Sequence, residues 1–270
     1  MTHPKFSIDV DKCTGCSLCI VACKDEYVDK TYNPWSKPQP EGGHFWIKIE
    51  SLERGEIPRV KVQHLPIMCQ HCEDAPCVNA CPEAAIKTRG DGMVWIDPEL
   101  CTGCGDCQPA CPYNVIYKNE ELNIAQKCNG CVHRLDNKEL PRCVDICPHE
   151  AITFGQLDEI NNFQEVLHPE YLTRPRVLWR DLPKPWITGL IVDTLEEEVI
   201  AGASVKATNL TNGEETETTS DEFGEFWLTN VELNSNYRVE ISEAGYRKFL
   251  TTIVVDAEKD IGTIELQTDL

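Results

Sequence analysis

Cys101-Thr-Gly-Cys104-Gly-Asp-Cys107-Gln-Pro-Ala-Cys111-Pro112 decides how this chain is read. Three thiols at i, i+3 and i+6, with a fourth four residues on, form the ligand run of bacterial ferredoxins. That spacing lets a tight loop wrap one corner of an iron–sulfur cubane while its amides point at the sulfurs. The fourth cysteine sits on the helix that follows, points away, and serves a second cluster, so such runs work in pairs.

The run is not alone. Cys13-x2-Cys16-x2-Cys19-x3-Cys23 repeats it, and Cys69-x2-Cys72-x4-Cys77-x3-Cys81 and Cys128-x2-Cys131-x11-Cys143-x3-Cys147 are looser versions of the same plan. Proline follows Cys81, Cys111 and Cys147, whereas Lys24 follows Cys23. An internal repeat, Ile8-Asp9-Val-Asp-Lys-Cys13-Thr-Gly-Cys16 against Ile96-Asp97-Pro-Glu-Leu-Cys101-Thr-Gly-Cys104, points to duplication of a two-cluster unit. Zinc also takes four cysteines, but as two CxxC pairs set well apart. Only the last quartet fits that pattern, and three cysteines within seven residues crowd one side of a tetrahedral site. The expected cofactors are therefore four 4Fe–4S clusters.

All sixteen cysteines precede Pro148 in a chain of 270 residues, so a domain boundary is expected well beyond Cys147. The start, Met1-Thr-His-Pro-Lys-Phe, shows no apolar leader or twin arginine, which argues against secreted disulfides. No apolar run approaches the roughly 20 residues of a membrane-spanning helix, so a soluble or peripheral chain is expected. Net charge is −20, with 19 basic against 27 acidic residues over 1–182 and 6 against 18 over 183–270. Neither part offers a basic stripe for nucleic acid.

The fold class expected is α+β: tandem bacterial-ferredoxin-like modules over residues 1–159, with an insert at 24–68, then an extended strap at 160–185. The insert holds Trp35, Phe45 and Trp46, too aromatic for a free linker, and packs on the cluster core or on another subunit. The strap holds Leu167, Tyr171, Val177 and Trp179 and suits lying along a partner. Residues 186–270 read as an all-β antiparallel sandwich of the transthyretin or carboxypeptidase-regulatory kind. Its expected strands are Ile187–Asp193, Ala203–Asn209, Glu215–Ser220, Glu225–Leu228, Tyr237–Ser242, Leu250–Val255 and Gly262–Leu266. His3, His44, His64, His71, His133, His149 and His168 form no catalytic pair; His71 and His133 adjoin cluster cysteines, a place from which a side chain can tune a potential, although surface or supporting packing is the ordinary role. No catalytic residues are expected on this chain.

In this order the four quartets resemble the iron–sulfur subunits of the dimethyl-sulfoxide-reductase superfamily of molybdenum and tungsten enzymes. With Gly43-His44-Phe-Trp46-Ile-Lys-Ile49-Glu50, Glu53-Arg54-Gly55, Pro58-Arg59 and the terminal β domain, the likeness narrows to small subunits of pyrogallol–phloroglucinol transhydroxylases. Those have lost most of the third quartet, whereas Cys101, Cys104, Cys107 and Cys111 are all present here. An intact third quartet suits an enzyme that exchanges electrons with an outside carrier.

The resemblance implies cross-paired clusters: Cys13, Cys16 and Cys19 with Cys147; Cys101, Cys104 and Cys107 with Cys81; Cys69, Cys72 and Cys77 with Cys111; and Cys128, Cys131 and Cys143 with Cys23. It also implies a large partner subunit with a molybdenum or tungsten bis-pterin cofactor, acting on a hydroxylated aromatic, in the cytoplasm. Two rivals stand beside it. One is a respiratory enzyme for an arsenic or sulfur oxyanion, exported with a partner that bears a twin-arginine signal. The other is a free-standing polyferredoxin.

Overall fold

The computed structural model describes residues 4–156, 162–196 and 198–269. It divides into two compact units, Met1–Leu52 with Gln63–Leu182, and Glu53–Val62 with Pro183–Leu270. The expected boundary between 159 and 160, like His3, lies outside the described residues.

In chain order the elements up to residue 180 are β1 (Lys5–Asp9), α1 (Leu18–Tyr27), β2 (Ile47–Glu56), β3 (Arg59–Met68), α2 (Pro76–Asn79), β4 (Ile86–Thr88), β5 (Val94–Ile96), α3 (Cys107–Ala110), β6 (Tyr117–Asn119), β7 (Ile124–Gln126), α4 (Val132–Asp136), α5 (Arg142–Asp145), β8 (Ile152–Gly155) and β9 (Leu178–Arg180). Strand β1 lies between β8, antiparallel, and β9, parallel, while β4 pairs with β5 and β6 with β7 as short hairpins. Helices α2, α3 and α5 are single turns that would not persist in isolation. Each buries the third cysteine of its run, Cys77, Cys107 or Cys143, and that anchor holds it; Cys81, Cys111 and Cys147, expected on these helices, come after they end, and of the fourth cysteines only Cys23 lies on a helix. Helix α1 likewise turns Cys19, Ala22, Cys23 and Tyr27 inward.

The expected strap is more ordered than an extended segment. It contains a 3-10 turn at Pro169–Tyr171, and β9 joins the sheet of β1. The N–H of Arg176 donates to Gln70 O (2.9 Å) and that of Glu73 to Arg174 O (3.0 Å), so the segment is bound to the second cysteine loop of its own chain. In the insert, Trp46 packs on Tyr27 (centroids 4.4 Å apart) as a core residue, and half-buried Trp35 packs on Trp95 (4.8 Å) against that core.

The second unit is built from β10 (Trp186–Asp193), β11 (Ser204–Asn209), β12 (Glu215–Thr219), β13 (Glu225–Thr229), β14 (Ser235–Ser242), β15 (Phe249–Val255) and β16 (Lys259–Leu266). They form two sheets, β12-β11-β14-β15 and β13-β10-β16. Alternate residues of both, among them Val205, Ala207, Val239, Ile241, Ile191, Phe226, Leu228 and Ile264, share one core. The expectation of a purely antiparallel arrangement fails at one pair, because β16 runs parallel to β10, with Ile191 opposite Ile264. Period-two burial reports which face a strand buries, not the direction of its neighbour. The β10–β16 register shifts between Thr188 and Leu190, around Gly189, where a Cβ would stand 2.8 Å from both Ile264 and Phe226 side chains. The unit also takes residues 53–62, the tip of the β2–β3 hairpin, which the sequence places inside the insert.

Candidate metal centres

Each cysteine loop is built to turn tightly. Gly103 has φ +70°, and a Cβ there would fall 2.2 Å from Asn123 O, so only glycine admits this approach. The loop beginning at Cys13 has Gly15 at φ +69° and Ser17 at +63° before α1 starts.

The folded chain brings the thiols into four groups. One cavity is lined by Cys13, Cys16, Cys19 and Cys147, with Ile49, Pro66 and Ile152. A second is lined by Cys69, Cys72, Cys77 and Cys111, with Val94, Val115 and Ile116. A third is lined by Cys81, Cys101, Cys104 and Cys107, with Ile86 and Ile96. In the fourth group Cys23, Cys131 and Cys143 are buried and Cys128 is partly so; burial first, then the charges of Cys131, Cys128 and Cys143, hold the Cys23 thiol well above its ordinary range.

The electrostatics are those of crowded acids in apolar surroundings. Burial, followed by Cys13 and Cys147, pushes Cys19 up to about 12. Cys72 also rises to about 12; burial dominates, a Thr173 hydrogen bond opposes it, and Cys69, Cys77 and Cys111 add to it. Cys107 reaches about 12 through burial, then Cys101 and Cys77. Such a set is at ease only when cationic iron takes the place of the protons. Backbone amides already face the sulfurs: Ala85 N–H donates to Cys81 Sγ (3.3 Å), Ala125 N–H to Cys101 Sγ (3.3 Å) and Gly130 N–H to Cys128 Sγ (3.4 Å). Among the described residues no three His, Cys, Asp or Glu side chains stand close enough to share one metal ion. Four cysteines around one mostly apolar hollow, with no three drawn together about a single point, fit an inorganic cluster with several irons and do not fit a lone zinc.

The groups adjoin in a row. Cys19 acts electrostatically on Cys23 and Cys143, Cys69 acts on Cys128, and Cys77 acts on Cys107. The Cys13 group therefore neighbours the Cys128 group, which neighbours the Cys69 group, which neighbours the Cys101 group. Cys16 and Cys104, in the two terminal groups, are exposed.

The histidines divide. His71 is fully buried, and its Nδ1 accepts the Val94 N–H (3.0 Å). His133 bonds Glu26 (2.9 Å), His64 bonds Ser51 (2.9 Å), His168 pairs with Glu170 (2.9 Å), His44 stacks on Tyr117 and His149 borders the first cavity. Lys127, which sequence reasoning passes over, is buried among the thiols and donates to Cys69 Sγ (3.3 Å). Its only sequence signal is its place directly after Ile124–Gln126 and directly before Cys128.

Paired loops of this kind, with buried thiols and amides turned toward them, define an iron–sulfur protein of the 4Fe–4S class. The sequence profile of the 4Fe–4S dicluster domain matches residues 60–157, that of a 4Fe–4S binding domain residues 10–30, and that of the carboxypeptidase regulatory-like domain residues 186–267. The pyrogallol hydroxytransferase small subunit of Pelobacter acidigallici is 35% identical over 96% of this chain and 97% of its own length. The thiosulfate reductase electron transfer subunit of Salmonella typhi is 38% identical over 56% of this chain and 74% of its own. The B subunit of the anaerobic dimethyl sulfoxide reductase of Escherichia coli is 38% identical over 59% and 76%. The chain belongs to this family, the iron–sulfur electron-transfer subunits of dimethyl-sulfoxide-reductase-type molybdoenzymes. No helix among the described residues is long and apolar enough to cross a membrane.

Proposed function

We propose that this chain holds four 4Fe–4S clusters and links a molybdenum or tungsten bis-pterin site on a large catalytic subunit to an external electron carrier. The observation that carries this reading is the adjoining row of four complete cysteine groups, the third quartet included. Cys13, Cys16, Cys19 and Cys147 would hold the first cluster; Cys128, Cys131, Cys143 and Cys23 the next; then Cys69, Cys72, Cys77 and Cys111; then Cys101, Cys104, Cys107 and Cys81. Bound there, the clusters supply one-electron carriers. The chain's own residues fix their spacing, exclude water and aim backbone amides at sulfur. Residues 186–270 form a separate domain on this reading, and the complex works in the cytoplasm.

The substrate on the partner is a hydroxylated aromatic. The support is that likeness to the pyrogallol enzyme's small subunit extends over 96% of the chain, β unit included, whereas likeness to the two sulfur-compound reductases extends over 56% and 59%. Anaerobic purification through a tag on this chain tests the proposal. About 16 iron and about 16 sulfide per chain are expected, together with a large chain containing molybdenum or tungsten. About 12 iron with the third quartet empty would end the four-cluster reading. A chain that purifies alone with full iron would be a free polyferredoxin. Cluster reduction or oxidation on adding a hydroxylated aromatic, and not thiosulfate or arsenate, would separate the aromatic enzyme from its respiratory rival.

A further inference from the structure

The two inner groups exchange donors. Lys127, beside the first cysteine of the fourth quartet, reaches across to Cys69, the first cysteine of the second (Nζ to Sγ 3.3 Å). His71, inside the second quartet, turns its Nε2 toward Cys128, the first cysteine of the fourth (3.9 Å). One residue of β5 holds both: Val94 N–H donates to His71 Nδ1, and Val94 O accepts from Lys127.

Hydrogen-bond accounting fixes the state of each donor. An ammonium has three protons, and Lys127 Nζ meets three acceptors, Cys69 Sγ, Val94 O and Cys128 O (3.0 Å), so it sits there as a full cation. Because His71 Nδ1 is an acceptor, the ring proton is on Nε2, facing Cys128, and the ring is neutral. A positive charge close to a cluster stabilises its reduced form, which carries one more negative charge. A neutral N–H at a longer distance does the same more weakly.

We propose that Lys127 and His71 are positioning residues that make the two inner clusters unequal, Lys127 raising mainly the reduction potential of the centre in the Cys69 group and His71, by less, that of the centre in the Cys128 group. This rests on the four-cluster reading above. Of the two inner centres, it makes the Cys69 centre the more readily reduced.

The test is a reductive titration of the purified complex followed by electron paramagnetic resonance, with Cys111→Ser and Cys23→Ser variants identifying the two inner signals. Lys127→Met is expected to move the Cys69 centre to lower potential, further than any other centre, with iron and sulfide unchanged. Lys127→Gln, uncharged but still a donor, should do the same. His71→Asn keeps an acceptor for Val94 N–H and suits the left-handed backbone at φ +44°, but withdraws the donor from Cys128. It should lower the Cys128 centre alone, while His71→Gln, which restores a donor, should lie near the native value. Equal shifts of all four centres, no shift with full iron, or loss of the Cys69 cluster in both Lys127 variants would overturn the proposal. A native preparation short of four clusters would instead overturn the reading on which it rests.

Discussion

Cys147 tests the cross-pairing at the scale of one residue. It lines the cavity of Cys13, Cys16 and Cys19, although its own quartet contributes Cys128, Cys131 and Cys143 to a different group. Serine is a harder and poorer ligand for iron than thiolate. Cys147→Ser is therefore expected to make the terminal Cys13 cluster labile or shift its signal, leaving the Cys128 cluster intact, as spectroscopy of the complex would show. A perturbation confined to the Cys128 cluster would reverse the assignment. The cysteines were legible in the sequence because residue type and spacing together carry the chemistry. Lys127 was not, since one lysine among 25 basic residues has no spacing to betray it; only the fold reveals that it is buried between two thiol groups.

At the scale of the element, the β2–β3 hairpin departs most from the sequence reading. The expectation keeps all of 24–68 with the cysteines, yet Glu53–Val62 belongs with the β unit. There Arg54 bonds Glu258 (2.8 Å) and lies over the Trp186 ring (4.6 Å), while buried Arg59 bonds Asp260 (2.7 Å) and pairs with Glu225 (3.4 Å). Nothing in a charged hairpin tip names a partner two hundred positions away, whereas the alternation along β11 and β14 announces their buried faces directly. Arg59→Ala removes the cation and leaves Asp260 Oδ2 without the guanidinium, while Oδ1 still accepts from Gly262 N–H (2.8 Å). The expected cost to the β unit is about 2 kcal/mol, read as a lower denaturation midpoint, with iron content unchanged. Loss of iron instead would show that the tip serves the cysteine-bearing unit.

For the whole molecule, the two units differ in what holds them together. The core of the first includes Cys19, Cys23, Cys69, Cys72, Cys77, Cys107, Cys131 and Cys143, so ligation is part of its folding free energy. The core of the second is aliphatic and aromatic and contains no cysteine. Chelating the iron, or exposing the protein to oxygen, should open the first unit to protease while residues 183–270 stay resistant and keep a cooperative thermal transition. Simultaneous loss of both would contradict separate cores. The confinement of cysteine to one core is legible from where the cysteines stop; the parallel return of β16 beside β10 is not, because it depends on how the chain crosses between sheets. The reach of the hairpin tip also has a consequence for synthesis. Asp260 is 201 residues after Arg59, an interval of about 10–40 s at roughly 5–20 residues per second on the ribosome. Until then the tip leaves the exit tunnel with no sheet to receive it, so this part of the fold is completed only when translation has delivered the last strand.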